Sequence, residues 1–195
     1  MFETAIGAVT IRISLLFPAM AMVLLSLDPS HTVLLCLSAS VLHELGHAFA
    51  MFIVRDHPRR ITVGVFGVTI EREYGYYSGY LAAVFVSLAG PFVNFLCFAF
   101  LWGCDARVAA AIHLGLGCFN LLPIVSLDGG EALYALLCRF CMEQKALCIL
   151  RVVSVAVIFP LVVCGFILLF IDVHNITLLL LCGYLILLLF LREKH

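Results

Sequence analysis

His43 Glu44 Leu45 Gly46 His47 sits near the centre of an apolar stretch, residues 32–54, long enough to cross a bilayer as one helix. On a helix, positions i and i+4 share a face, so the two histidines can present both imidazoles to one metal ion with Glu44 beside them. With the cytoplasmic end near Val54, His47 would lie on the order of 10 Å and His43 on the order of 16 Å below that surface. The motif needs a third ligand. Asp128, in Leu127 Asp128 Gly129 Gly130, is the candidate.

The rest of the chain agrees with a lipid solvent. Its 195 residues are 65% hydrophobic and 12% charged, with a mean hydropathy of +1.19, the balance of an integral membrane protein rather than a soluble domain. The formal charge of -1 identifies no partner, and no basic patch interleaved with aromatics supports nucleic-acid binding. Nine cysteines are scattered through apolar runs without the spacing of a secreted disulfide framework. Most read as small hydrophobes. Cys138 and Cys141 form a lone C-x-x-C that metal or redox chemistry would also explain. Glu3 ahead of the first apolar run, with no basic cluster there, argues against a cleavable signal.

At about 20 apolar residues per crossing, six spans are expected, at approximately 11–27, 32–54, 77–102, 107–126, 147–171 and 175–191. With a cytoplasmic N-terminus, ten of the eleven Lys and Arg residues fall at cytoplasmic ends and only Arg107 falls outside. That segregation satisfies the positive-inside rule, so both termini are expected in the cytoplasm. Residues 61–75, β-branched and interrupted by glycines, are expected to hold a short strand or hairpin. It either packs the loop from the cytosolic side or offers an edge to an unwound peptide.

Polar residues inside the spans carry the remaining information. Gly90 and Pro91 in the third span read as a packing kink, and Asn94 either as an interhelical hydrogen bond or as part of the site. The fourth span holds His113 and Asn120 before Pro123 interrupts it, which leaves Asp128 near the cytoplasmic end. His113 lies on the face of Asn120 and would line a water path or lock two helices. An aspartate before Gly-Gly is also an ordinary helix cap, but the paired histidines favour ligation. The last two spans read as scaffold. Without repeats or an appended soluble domain, the expected fold is one all-α polytopic membrane domain, 1–195, with a short β segment.

Ionisable side chains in a bilayer are expensive, roughly 2.5–3.5 kcal/mol for an Asp at a helix centre, so His43, Glu44, His47 and Asp128 at overlapping depth need one explanation. A zinc ion supplies it. Two imidazoles and a carboxylate fill three tetrahedral positions and leave the fourth to water, as in catalytic zinc sites. Zinc lowers the pKa of that water to about 7, and Glu44 is the base that takes its proton and delivers it to a leaving amine. The implied reaction class is peptide-bond hydrolysis. A helical substrate would have to unwind first, because its carbonyls are occupied in the i to i+4 ladder.

These residues together resemble a known family. His43 Glu44 Leu45 Gly46 His47, followed by Asn120 Leu121 Leu122 Pro123 and Leu127 Asp128 Gly129 Gly130, is similar to the site-2 protease family of intramembrane zinc metalloproteases. Ala89 Gly90 Pro91 with Asn94 resembles a motif of that family's third span, and the likeness covers about residues 30–140. Six spans without PDZ or CBS domains look closest to the compact bacterial subgroup that includes the sporulation factor processing a membrane-associated sigma-factor precursor.

The resemblance implies zinc as cofactor, His43, His47 and Asp128 as its ligands, and Glu44 as the catalytic base. It also implies that Asn120 positions the scissile backbone or stabilises its oxyanion, with Asn94 helping to shape the site, and that residues 61–70 include a substrate-binding strand. The partners implied are the lipid bilayer, a membrane-protein substrate such as a membrane-tethered transcription factor or its regulator, and a regulatory membrane protein. The location implied is the bacterial cytoplasmic membrane. The chain departs from the family where members often carry prolines, having Val125 and Ser126. Two other classes compete: a membrane metal transporter or sensor, and a catalytically inactive relative that binds membrane proteins. The first would distribute its metal-binding groups along a route, and the second is opposed by an intact Glu44. A prenyl-protein type of membrane zincin usually takes a glutamate as third ligand, which Asp128 disfavours.

Overall fold

A computed structural model describes residues 2–6, 9–13, 16–55, 58–64, 67–72, 79–171 and 176–191. Among them are seven helices and a four-stranded sheet. The chain opens with β1 (Phe2–Ile6) and β2 (Val9–Ile13), paired antiparallel. Helices α1 (Leu16–Leu27) and α2 (Thr32–Ile53) follow, and they return the chain to β3 (Pro58–Gly64), which pairs parallel to β2 with Ile11 opposite Ile61. β4 (Gly67–Arg72) closes the sheet antiparallel to β3, giving the order β1-β2-β3-β4. The α1–α2 hairpin is what makes the parallel pair reachable, since parallel neighbours need a crossover rather than a tight turn.

The remaining helices are α3 (Tyr80–Gly103), α4 (Arg107–Asn120), α5 (Asp128–Cys138), α6 (Glu143–Ile171) and α7 (Thr177–Leu191). α3 is central and packs against α2, α4 and α5, while α6 lies between α5 and α7. Small side chains line these contacts: Ala39, Ala50, Ala83 and Ala110 are buried, so the helix backbones approach closely. Large apolar side chains point outward instead, among them Phe49, Phe52, Phe100 and Phe170. In water such an exterior would be an aggregation surface, whereas lipid tails would solvate it.

Among the described residues, three helices, α2, α3 and α6, are long and apolar enough to cross a membrane. The others depart from the six expected spans in ways the local chemistry explains. The expected span 11–27 is divided, because the β-branched run Val9, Thr10, Ile11 is in strand β2 and the helix starts only at Leu16. The expected span 107–126 stops at Asn120 after 14 residues, about 21 Å of helix. Pro123, with no N–H to donate, lies in the irregular segment beyond it. α6 begins at Glu143, ahead of the expected 147. Residues 73–75 of the expected strand segment lie outside the described residues.

The turn between α1 and α2 is built by Asp28. Its carboxylate accepts the Ser30 hydroxyl and the backbone N–H groups of Ser30 (3.0 Å) and Val33 (2.6 Å). It thereby satisfies a donor in the first turn of α2 that the helix itself leaves free. The Ser30 hydroxyl, followed by the Val33 N–H, holds the Asp28 carboxyl below its ordinary value.

Candidate metal centre

The site forms where α2 crosses α3. His43 and His47 are buried on the inner face of α2, with ring centroids 4.8 Å apart and planes at 80°. Gly90 of α3 lies directly against them: a Cβ there would come within 2.8 Å of His43 Nε2 and would collide with His47 Nε2. Any side chain at this position would fill the space in which the two imidazoles converge. Gly90, expected to serve a packing kink, is the reason α3 can come this close.

The third residue arrives from a doubled-back loop. After α4 ends, the Ile124 N–H bonds to the Leu122 carbonyl (2.8 Å) and the Leu127 N–H to the Ile124 carbonyl (2.9 Å). α5 then starts at Asp128, with the Glu131 N–H on the Leu127 carbonyl (3.0 Å). Cβ atoms at Gly129 and Gly130 would run into the carbonyl oxygens of Leu121 and Ile124, so the paired glycines let the first turn of α5 lie flat against the end of α4. Ser154 of α6 ties the loop from the other side, accepting the Val125 N–H (3.0 Å) and donating to the Leu150 carbonyl (2.8 Å). A proline at 125 would have no N–H to give. The valine that departs from the family pattern is thus matched by a serine on a helix expected to be scaffold, and a lone hydroxyl in an apolar span was the signal for it.

The three donors meet closely. His43 Nε2 and His47 Nε2 are 3.1 Å apart, and Asp128 Oδ2 lies 2.9 Å from the first and 3.3 Å from the second. Ligands about 2.0 Å from a tetrahedral ion are themselves about 3.3 Å apart, so these separations suit a cation at their centre. Asp128 Oδ2 is fully buried and, despite those short approaches, accepts no well-formed hydrogen bond among the described residues. A buried carboxylate oxygen without a donor is costly unless a cation claims it. His47 is prepared for that role, because its Nδ1–H donates to the Val86 carbonyl (2.8 Å) and leaves the Nε2 lone pair facing inward. Two imidazoles and one carboxylate fit zinc.

No protein-family model matches the chain. The site-2 protease from Methanocaldococcus jannaschii superposes on it with a TM-score of 0.64 at 21% identity, covering 94% of this chain and 92% of that one. The fold is that of a site-2 protease. A Synechocystis sp. protein named "Putative zinc metalloprotease sll0528" is 29% identical over 128 residues, which are 58% of this chain and 33% of that protein. The chain thus spans about a third of the length of this curated relative.

On this site-2 protease fold the other expected site residues fall at different distances from the donors. Glu44 is half-buried on α2, within electrostatic reach of His47, His43 and Asp128. Asn120 is the last residue of α4, and its side-chain N–H donates to the Leu116 carbonyl (3.1 Å). Asn94 has no exposed surface and sits between His43 and His113 rather than at an opening. His113 is buried against it, joining α4 to α3. Cys138 and Cys141 stand at the far end of α5, where the Cys141 thiol bonds to the Leu137 carbonyl (3.2 Å).

Proposed function

We propose that this chain is an intramembrane zinc metalloprotease of the site-2 type, hydrolysing peptide bonds in or near the membrane-spanning segments of membrane-bound substrates. One observation carries the reading: two histidine nitrogens and a buried carboxylate oxygen converge within 3.3 Å, with Glu44 adjacent in sequence to His43. Zinc, when bound, supplies a Lewis acid and brings the pKa of water to near neutrality. His43, His47 and Asp128 would hold the ion, and the Val86 carbonyl fixes the proton of His47 on the far side of its ring. Glu44 takes a proton from water and returns it to the departing amine nitrogen. Asn120 spends one amide hydrogen on Leu116 and keeps the second for the carbonyl oxygen of the scissile bond.

The substrate reaches this site unwound. β4 lies at an edge of the sheet, and an extended substrate segment would add to it through backbone hydrogen bonds. Six crossings with both termini cytoplasmic are supported by the distribution of Lys and Arg, and a cytoplasm-facing site suits membrane-tethered transcription factors or their regulators as substrates. A regulatory membrane protein that covers the site completes the proposed partners.

Co-expression of Glu44→Gln with a tagged membrane substrate tests the reading, with zinc measured in the purified protein. Cleavage should fall by about 10²–10⁴-fold while zinc is retained. His43→Ala should lose the zinc itself. Wild-type cleavage by Glu44→Gln, or undiminished zinc in His43→Ala, would overturn the assignment, and metal binding without cleavage in the wild type would favour a sensor or transporter.

A further inference from the structure

His43 and His47 present nitrogens to the same point, but their protons are placed by groups of different character. The Val86 carbonyl can only accept, so His47 must carry its proton on Nδ1. His43 Nδ1 faces an amide instead. Asn94 Nδ2 lies 2.9 Å from it, and Asn94 Oδ1 lies 3.1 Å from His113 Nδ1. All three side chains are buried, and Asn94 has no exposed surface at all.

An amide is two-faced: its oxygen and nitrogen fill nearly the same volume, and a half-turn exchanges acceptor for donor. With Nδ2 toward His43, the imidazole must accept at Nδ1, and its proton then sits on Nε2, pointing at Asp128 and closing the ligand position. With Oδ1 toward His43, the proton belongs on Nδ1 and the Nε2 lone pair is free. That second orientation turns Nδ2 toward His113, whose Nδ1 must then be the bare nitrogen of its ring. The three side chains therefore have two self-consistent hydrogen-bonding states, and only one allows His43 to ligate.

We propose that Asn94 is a positioning residue that selects the ligating tautomer of His43, and that His113 acts through it by receiving the amide N–H. This rests on the zinc reading above. It gives the buried His113 a role in metal binding although it reaches neither metal nor substrate.

The test uses full-length protein in detergent, with the zinc dissociation constant measured by competition against a chromophoric chelator. Asn94→Leu should weaken zinc about 10–100-fold, the usual consequence of losing such an outer partner. Asn94→Asp, which keeps an acceptor toward His43, should stay within about threefold of wild type. His113→Leu should weaken zinc in the wild-type background and have no further effect in Asn94→Leu, since it acts only through the amide. Full zinc affinity in Asn94→Leu overturns the proposal, as does an Asn94→Asp no tighter than Asn94→Leu, or a His113→Leu penalty equal in both backgrounds. His43→Ala sets the floor. A wild type no tighter than His43→Ala removes the zinc reading and this proposal together, whereas a tight wild type with an unaffected Asn94→Leu removes this proposal alone.

Discussion

Gly90 shows how much one missing side chain decides. Its hydrogen faces both imidazoles, and a single methyl group would need the space held by His47 Nε2 and crowd His43 Nε2 at 2.8 Å. Gly90→Ala is therefore expected to abolish stoichiometric zinc binding and to destabilise the protein by about 1–3 kcal/mol through overpacking. Gly115 of α4 is the control. Nothing lies within 4 Å of a Cβ there, so Gly115→Ala should bind zinc normally and be stabilised by up to about 1 kcal/mol. Zinc content and thermal midpoints of both variants decide the matter, and a zinc-replete Gly90→Ala would refute the crossing geometry.

At the scale of elements, the ligand set depends on how α5 begins. Alanine normally improves a helix over glycine by about 1 kcal/mol. At position 129 its methyl would strike the Leu121 carbonyl and push the first turn of α5, with Asp128, away from α4. Gly129→Ala should thus lose both zinc and proteolysis although it raises intrinsic helicity; retention of both would show that the loop has room. The start of α2 depends on a charge instead. Asp28 is held below its ordinary value by Ser30 and Val33, so its stabilisation is present above the unfolded pKa of about 3.9 and is lost as pH falls through the lower folded value. Asp28→Ala should lower the thermal midpoint at pH 7 and converge on wild type as pH falls through that lower folded value. A gap that is constant with pH would mean the carboxylate plays no part.

On the proposed function, the molecule as a whole sets a condition on its substrate. Apolar side chains cover its outside and the donors lie within, so a substrate helix would enter from lipid with its carbonyls still hydrogen-bonded. Gly, Pro, Asn or Ser near the cytosolic end of the target lowers the cost of opening. Replacing two such glycines by leucine adds about 1.5 kcal/mol of helix propensity and should slow cleavage about tenfold. Equal cleavage of the two substrates in the co-expression assay would remove unwinding from the mechanism.

How much of this was legible without coordinates follows from the range of the forces involved. Hydropathy placed α2, α3 and α6, because the transfer of an apolar run is a local property, and the i, i+4 spacing put His43 and His47 on one face for the same reason. Local pattern misled where pairing partners lay far away: residues 11–13 look like the start of a span until β3, some fifty residues on, supplies their hydrogen bonds. The contact of Asp128 with the two histidines, the space that Gly90 leaves for them and the bond from Ser154 to Val125 exist only after four helices have packed. Composition and spacing determined by themselves that the chain has helices apolar enough for lipid and a pair of histidines on one helix face that could hold a metal. Tertiary packing alone decided that three of those residues reach one point, because close approach between distant segments depends on the shapes of both partners.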